Sequence, residues 1–476
     1  MSIIFILHAL LVLSFTLRIL LRDDLQPSGR LAWFIVLNVL PYLGSMIYFL
    51  FGEVDIGKHA KKRHDQIFAE IQRKAAAFMG QPEQVEQLVE RVYRPAFHYA
   101  GSINGFHTQG GNRAHLFSDS AATLQQMIAD IDAATDHVHV LYYIWLNDHT
   151  GTAIAEALMR AARRGVKCRA LADGMGSRAL IGSGLWWQMQ QAGVQAVVAL
   201  PYSNLVRTLF ASRIDLRNHR KITVIDCKIT YCGSQNAADP EFLVKQQYGP
   251  WVDIMLRFEG PIVAQNQLLF ASDWMQATQE PLELIPLQAT HYESGFAAQV
   301  MGSGPTERRG ATPQLFTNLF ASAERSIILS TPYFVPDTTT IEALCAAAHR
   351  GVKVKLIFPK QNDSWIVAAA SRSYYHRLLD AGCLIYEHGP GLLHAKTLTV
   401  DDKVSLIGSS NLDLRSFDLN YENNILLYDA PLTQAIEQRQ LTYIADSEPV
   451  ALEHVLSWSY KRRVWHNVIA TIGPVL

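Results

Sequence analysis

The stretch His219-Arg-Lys221-Ile-Thr-Val-Ile-Asp226, followed by Gly233-Ser234-Gln-Asn236, returns as His394-Ala-Lys396-Thr-Leu-Thr-Val-Asp401 and Gly408-Ser409-Ser-Asn411. His, Lys, Asp, Gly, Ser and Asn keep the same relative spacing in both copies, with 17 steps from His to Asn. An internal repeat of this kind settles the architecture before any local pattern does. The repeat also extends outward. Ala155-Glu-Ala-Leu158 leads to Arg164-Gly165-Val166-Lys167, and Ile341-Glu-Ala-Leu344 leads to Arg350-Gly351-Val352-Lys353. Each reads as a helix closed by glycine and followed by an apolar strand. Gln191-Ala-Gly193 answers Asp380-Ala-Gly382, and the segments Trp251-Val-Asp253 and Tyr421-Glu422 follow the two motifs. Together with the buried-strand patterns at 138–145 and 327–334, this predicts two homologous α/β lobes with a parallel or mixed sheet.

The repeated residues suggest a chemistry. His and Lys stand two positions apart, so on a regular strand both leave the same face. The Asp, seven positions after the His, has the wrong parity for that face, and its own reading is structural, at the strand end or turn. Gly-Ser-x-Asn offers close backbone approach, a hydroxyl and an amide. Two such sets facing one another give two imidazoles, two ammonium groups and neutral donors around one concave site, which suits a phosphodiester. One imidazole can attack phosphorus while the other protonates the leaving oxygen. Nothing in the set demands a metal or other cofactor, since the histidines lack local zinc-ligand spacing and no carboxylate cluster accompanies them. A nucleophilic histidine needs an acceptor on its other ring nitrogen. The candidates are Glu422, 28 residues after His394, and Asp253, 34 after His219.

Over 476 residues the net charge is -1, which gives no general basic field and speaks against nucleic acid as a partner. Cys168, Cys227, Cys232, Cys345 and Cys383 lie in apolar surroundings without metal-ligand pairing and read as buried free thiols. Residues 3–21 are almost continuously apolar, and 31–51 form a second such run, long enough for two membrane spans joined by a short loop. Asn38, Pro41 and Gly44 mark a kink or packing face inside the second. Lys58, Lys61, Lys62 and Arg63 come after it, against Arg22 and Arg30 in the loop, which places the chain beyond residue 51 on the cytoplasmic side. The segments are then 1–51 membrane helices, 52–115 a polar, membrane-proximal connector, 116–285 and 286–446 the two lobes, and 447–476 a C-terminal segment. In that last segment Trp458, Tyr460 and Trp465 mix with Lys461, Arg462 and Arg463, an interfacial pattern attracted to anionic lipid; docking as a plain helix on the second lobe is the alternative.

The paired His-x-Lys-x4-Asp motifs with Gly-Ser-x-Asn resemble the phospholipase D superfamily. The N-terminal spans, Leu40-Pro-Tyr-Leu-Gly44, Tyr143-Ile-Trp145, Arg213-Ile-Asp-Leu-Arg217-Asn-His219, Thr331-Pro-Tyr-Phe-Val-Pro336 and Asn411-Leu-Asp-Leu-Arg415-Ser416 resemble, more narrowly, bacterial cardiolipin synthases of the phospholipase D type. The resemblance covers nearly the whole chain. It implies two phospholipase D-like lobes around a shared active site and transfer of a phosphatidyl group between two phosphatidylglycerol molecules, giving cardiolipin and glycerol. It implies a catalytic set of His219, Lys221, Asp226, His394, Lys396 and Asp401, with Asn236 and Asn411 on phosphate oxygens and Ser234 and Ser409 assisting. His219 would attack and His394 act as acid and base, although the near-symmetry of the motifs allows the reverse. The implied setting is the bacterial cytoplasmic membrane, multi-pass, without cofactor. A hydrolase releasing phosphatidic acid, a nuclease and a non-enzymatic scaffold are the competing classes. Tyr142, Tyr143, Trp145, Tyr333 and Phe334 line acyl or headgroup channels or else pack the strands, and Arg207, Arg213 and Arg217 meet an anionic headgroup or else form a solvated loop. Oligomeric state and acyl preference are not written in these motifs.

Overall fold

The computed structural model describes residues 3–471 apart from 24, 26, 41, 53–57 and 202–214. Arg207 and Arg213 therefore lie outside the described residues. Among these residues sixteen strands form one mixed sheet. At the centre of the first lobe is His137–Tyr142, with Lys167–Asp173 and Gln195–Ala199 parallel on one side. On its other side the strands Lys221–Ile225, Ile229–Gly233, Met255–Glu259 and Gln109–Leu116 continue antiparallel. The second lobe repeats the pattern around Ser326–Ser330. Lys353–Pro359 and Leu384–His388 run parallel to it, and Thr397–Val400, Val404–Gly408, Asn420–Tyr428 and Phe296–Ser303 continue antiparallel.

The halves meet where Gln109–Leu116 pairs antiparallel with Phe296–Ser303, Gln109 opposite Ala298 and Asn112 opposite Phe296. All but the last residue of this seam strand lies inside the segment 52–115, read from sequence as a polar connector. Its residues, Gln109-Gly-Gly-Asn-Arg-Ala-His-Leu116, carry no β pattern, and only pairing with both lobes makes them a strand. Beneath the seam, the helix Ile262–Thr278 is buried on nearly every face. The core around it takes Leu268, Leu269 and Phe270 from that helix, with Ile222 from the first lobe and Ile328, Ile357, Leu393 and Ile425 from the second. With about 1.5–3 kcal/mol for each large aliphatic side chain withdrawn from water, a core shared in this way holds the two lobes as one folding unit.

Helix starts follow their capping residues. Asp119 accepts the Ala122 N–H ahead of Ser120–Asp132, and Asp148 and Asp337 do the same before the paired helices His149–Arg163 and Thr338–His349. The five cysteines are free and buried.

At the N-terminus the helix Ile3–Leu20 follows the first apolar run, but the second run is not one span. It forms two helices, Pro27–Val39 and Leu43–Phe51. Tyr42 between them adopts φ 61°, and a Cβ on Gly44 would meet the Val36 carbonyl oxygen at 2.2 Å, so the third helix folds back closely on the second. Asn38 Nδ2 donates to Phe34 O within the second helix, and Pro41 lies outside the described residues. Among the described residues no helix is long and apolar enough to cross a membrane. Beyond this unit, Lys58–Ala75 packs on Ile262–Thr278, with Arg63 donating to Met275 O at 2.6 Å. At the other end Ser447–Val450 adds an edge strand, and the helix Tyr460–Thr471 docks on Trp365–Ser373 of the second lobe.

Candidate active site

Each motif is reached through a two-residue strand that leaves its own lobe. Arg217–Asn218 pairs in parallel with the start of Asn420–Tyr428, and Leu392–Leu393 pairs with Trp251–Val252. The exchange is reciprocal: the His219 N–H donates to Tyr421 O and the His394 N–H to Val252 O, both at 2.9 Å. Each histidine thereby stands beside the acidic segment of the opposite lobe. His219 Nδ1 lies 3.0 and 2.9 Å from the two carboxylate oxygens of Glu422, and His394 Nδ1 lies 2.6 Å from Asp253. Offsets counted from the motifs pair each acid with the histidine of its own lobe; the fold crosses them. A carboxylate can only accept, so the ring proton sits on Nδ1 and the Nε2 lone pair is left for chemistry.

The remaining motif residues support this pair. Lys221 opens its strand and Lys396 stands one residue before Thr397–Val400, with both histidines ahead of the strands, so a common strand face is not what aligns them. Each Lys Nζ donates to the carbonyl of its own histidine at 2.6 Å and is almost fully buried. A Cβ at Gly233 would sit 2.2 Å from Ile254 O and one at Gly408 2.1 Å from Asn423 O, so both positions require glycine for the next strand to approach. Ser234 Oγ donates to Asp253 and Ser409 Oγ to Glu422. The serines therefore assist from behind, fixing the carboxylates that hold the histidines. Asn236 accepts the Ile144 N–H, while its Nδ2 and the Oδ1 of Asn411 are buried without hydrogen-bond partners. The Asn236 amide is therefore a donor that can meet a phosphate oxygen, whereas on Asn411 it is the accepting oxygen that stays unpaired, so the two positions are not equivalent in their hydrogen bonding.

Burial dominates the electrostatics. It pushes both imidazoles down to about 4, against the pull of Glu422 on His219, and with Lys396 adding to the push on His394. Burial lowers Lys221 to about 8 and Lys396 to about 7, the second further depressed by Lys221. Burial pushes Glu422 and Asp253 up, but their histidines and the lysines outweigh it and hold both below the usual carboxylate range. The result is a buried cationic pair with neutral imidazoles, a setting in which a phosphodiester anion relieves the repulsion between the lysines.

Residues 127–274 and 316–441 match the family described as "Cardiolipin synthase, PLD-like domain", and residues 10–53 match "Phospholipase_D-nuclease N-terminal". The cardiolipin synthase A of Serratia proteamaculans is 36% identical over 465 residues, covering 97% of this chain and 94% of the relative. That of Edwardsiella ictaluri is 36% identical over 468 residues with the same coverage. The chain belongs to the bacterial cardiolipin synthase family of the phospholipase D superfamily. Among solved structures, phosphatidylserine synthase of Haemophilus influenzae superposes with a TM-score of 0.56 at 16% identity, covering 76% of this chain and 95% of that one, a likeness of fold.

In this member of the family, Asp226 and Asp401 do not join the site, which corrects their place in the expected catalytic set. They open the tight turns after the motif strands, where Asp226 and Cys227 adopt φ 50° and 51° and Asp401 and Asp402 adopt φ 53° and 59°. That is left-handed backbone, which Asp tolerates better than most residues. The Asp226 carboxylate accepts the N–H groups of Thr135, Asp136 and His137, and Asp401 accepts those of Glu324, Arg325 and Ser326 plus the Tyr93 hydroxyl. Each aspartate ties its hairpin to the start of the central strand of its lobe. Asp401→Ala is expected to cost about 3–5 kcal/mol, because several donors lose their acceptor. The more exposed Asp226→Ala costs about half as much on the same scale. Denaturant midpoints fall accordingly, while kcat per folded molecule stays near wild type; a collapse of kcat without loss of stability would return the aspartates to the chemistry.

Sequence reading passes over two other residues. The Trp251 ring lies 4.4 Å from that of His394, matching Tyr143 at 4.8 Å from His219. Its position two residues before Asp253 was the available signal. Arg220, the middle residue of the first motif, is buried and donates to Asp273 at 2.7 Å and to Glu422 O at 3.1 Å, so it ties the acid's backbone to the first lobe. Tyr142, Trp145 and Phe334 pack as core, while the Tyr333 hydroxyl donates to Asp363 at 2.7 Å. Arg217 donates to the neighbouring Leu216 carbonyl.

Proposed function

We propose that this protein joins two phosphatidylglycerol molecules into cardiolipin and glycerol by phosphatidyl transfer through histidine. The observation that carries the reading is the pair of crossed His–carboxylate contacts, which turns two motifs into one site with two Nε2 atoms and two buried ammonium groups. In the first half-reaction the Nε2 lone pair of His219 forms a bond to phosphorus as the bond from phosphorus to the glycerol oxygen breaks. The departing oxygen takes the proton from the His394 imidazolium. In the second, neutral His394 removes the proton from a headgroup hydroxyl of another phosphatidylglycerol, that oxygen bonds to phosphorus, and the P–N bond breaks to restore His219. Protons balance over the cycle. The phosphate charge raises the basicity of His394, which supplies the imidazolium that the buried free site disfavours. Lys221 and Lys396, with Asn236 and Asn411, hold the non-bridging oxygens.

The assignment of attack to His219 is supported by its clamp. Glu422 is itself fixed by Ser409, by Ser416 Oγ at 2.9 Å and by Asn420 Nδ2 at 3.4 Å, whereas the side-chain donors to Asp253 are His394 and Ser234. A ring that must hold covalent phosphorus through two steps needs the better-fixed acceptor. Burial of the reacting groups favours a lipid hydroxyl over water. The N-terminal helices attach the lobes to the bacterial cytoplasmic membrane, with the lobes on the cytoplasmic side. The exposed apolar side chains of the first helix, Leu10, Leu13 and Leu17 among them, on a unit packed through Ile19, Trp33, Leu37 and Tyr48, support that attachment.

Liposomes in which phosphatidylglycerol is the sole phospholipid, with chelator present, test the reading. Cardiolipin and glycerol are expected in equal amounts by mass spectrometry. Phosphatidic acid without cardiolipin would make the protein a lipase and overturn the transfer. The lysines set the pH response. Below about 7 both are charged; as pH rises through about 7 and then about 8 each loses its proton and its hold on phosphate. kcat/KM is expected to fall across that window mainly through KM. Lys396→Arg, whose guanidinium stays charged, shifts the first loss upward; an alkaline limb unmoved by that change would assign it elsewhere.

A further inference from the structure

A cavity of about 420 Å³ opens between Trp365–Ser373 and Tyr460–Thr471, on the outer side of the second lobe, with Tyr248 of the first lobe on its wall. Its other walls include Lys360, Arg372 and His466, and the rings of Trp365 and Trp465 stack at its rim, 5.8 Å apart and 14° from parallel. Both indoles are half or more exposed, at 61% and 50%. His466 is only 7% exposed, and its Nδ1 has no hydrogen-bond partner. Its ring packs edge-on against that of Trp458 at 5.1 Å, which holds the imidazole in place on the cavity wall. Lys360 pairs with Glu448, and Arg372 lies 3.3 Å from Glu387, so each cation is held in place by a carboxylate. Arg462, stacked 4.2 Å over the Trp458 ring, adds charge: with Arg372, and after burial itself, it pushes His466 down to about 4.

The C-terminal helix carries two different faces. His466 and Ile469 turn to the lobe, while Tyr460, Val464 and Val468 form an exposed stripe at spacing i, i+4, i+8, with Trp465 beside it. Lys461, Arg462 and Arg463 fill its first turn, where the helix dipole disfavours cations. Basic residues in an unfavourable turn, an exposed aromatic pair and an apolar stripe share one occupant if that occupant is anionic at one end and apolar at the other.

We propose that this cavity is a second phospholipid site, separate from the catalytic centre, which takes the phosphate of an anionic phospholipid between Lys360, Arg372 and His466 while its acyl chains run over Trp365, Trp465 and the apolar stripe. A free phosphate would use the polar wall and leave the stripe uncovered. The site also touches the active-site loop. Asp363, beside the cavity wall, accepts from Tyr333 and from Lys245 Nζ at 2.7 Å each, and Lys245 stands on the segment that leads to Trp251 and Asp253. A lipid bound here fixes the second lobe on the membrane surface with that segment next to it.

The choice of phosphatidylglycerol as probe rests on the proposed function, so the test uses the full chain bearing His219→Ala, whose binding is read without turnover. In non-ionic detergent this protein is titrated with phosphatidylglycerol carrying brominated acyl chains, and tryptophan fluorescence is followed. Saturable quenching is expected. It loses much of its amplitude in Trp365→Phe/Trp465→Phe, and its midpoint weakens on the order of ten-fold in Lys360→Ala/Arg372→Ala, as expected for lost charge-assisted contacts to phosphate. Lys360→Gln alone, at a surface position, is read in the same way if the double variant melts early. Equal quenching by brominated phosphatidylcholine, or quenching unchanged in the tryptophan variant, would overturn the site. Displacement of the lipid by inorganic phosphate at the lipid's own midpoint concentration would make it a small-anion site instead. In the chain with its catalytic histidines intact, turnover of vesicle phosphatidylglycerol falls in the tryptophan variant while turnover of short-chain monomeric lipid holds; a protein that makes no cardiolipin but still shows the quenching pattern separates the two readings.

Discussion

His219→Ala and His394→Ala are each expected to lower cardiolipin formation by on the order of 10^4-fold, about 5 kcal/mol of lost transition-state stabilisation. The two losses do not add. With one histidine gone the other has no partner to exchange a proton with, so the double variant is expected to be no worse than the poorer single one. The singles differ in which half-reaction they stop. A phosphatidyl ester of nitrophenol, whose leaving group departs without an acid, separates them. With His394→Ala the first displacement still proceeds, and a burst of about one nitrophenol per enzyme leaves a phosphatidyl group on His219 that mass spectrometry locates. With His219→Ala no burst appears. The opposite pattern would exchange the roles of the two residues, and a burst in both would remove covalent catalysis by either.

The repeat exposes most of this architecture because it is a statement about identity at fixed spacing, which no propensity argument can blur. Two lobes, a mixed sheet and the residues His219, Lys221, His394 and Lys396 are all legible in it. The details that escape are those in which one lobe completes the other. The parallel exchanges of Arg217–Asn218 with Asn420–Tyr428 and of Leu392–Leu393 with Trp251–Val252 are long-range contacts between strands of two residues, too short to show a period. The seam strand Gln109–Leu116 is likewise polar in sequence and becomes a strand through its neighbours. Asp226 and Asp401 do lie away from the reacting groups, but not by strand parity, because the histidines precede the strands; their backbone N–H partners are 75 to 91 residues away and invisible locally. At the N-terminus, hydropathy measures only how apolar residues 31–51 are; the turn at Tyr42 and the close approach at Gly44 decide that they form two helices.

Because the acids are exchanged between lobes, Glu422→Gln is expected to imitate the loss of His219, although His394 is the histidine of its own lobe. The amide keeps the shape and removes the charge that holds the Nδ1 proton, and it can offer an N–H where His219 needs an acceptor, so the ring turns or changes tautomer and the Nε2 lone pair is lost. A carboxylate-to-amide change behind a reacting histidine costs on the order of 10^3–10^4-fold in kcat. The nitrophenyl ester should therefore show no burst in Glu422→Gln, while Asp253→Asn, which disturbs the His394 ring, keeps the burst and stalls afterwards. Stability follows the same asymmetry. Glu422 is fully buried and accepts from His219, Ser409, Ser416 and Asn420, and its charge faces buried Lys221 and Lys396. Removing it leaves two interior cations facing one carboxylate, a loss of about 3–5 kcal/mol that lowers the denaturation midpoint as well as the rate. If Glu422→Gln kept its burst and Asp253→Asn lost it, each acid would be acting on the histidine of its own lobe, and the crossed geometry would not be the one that works.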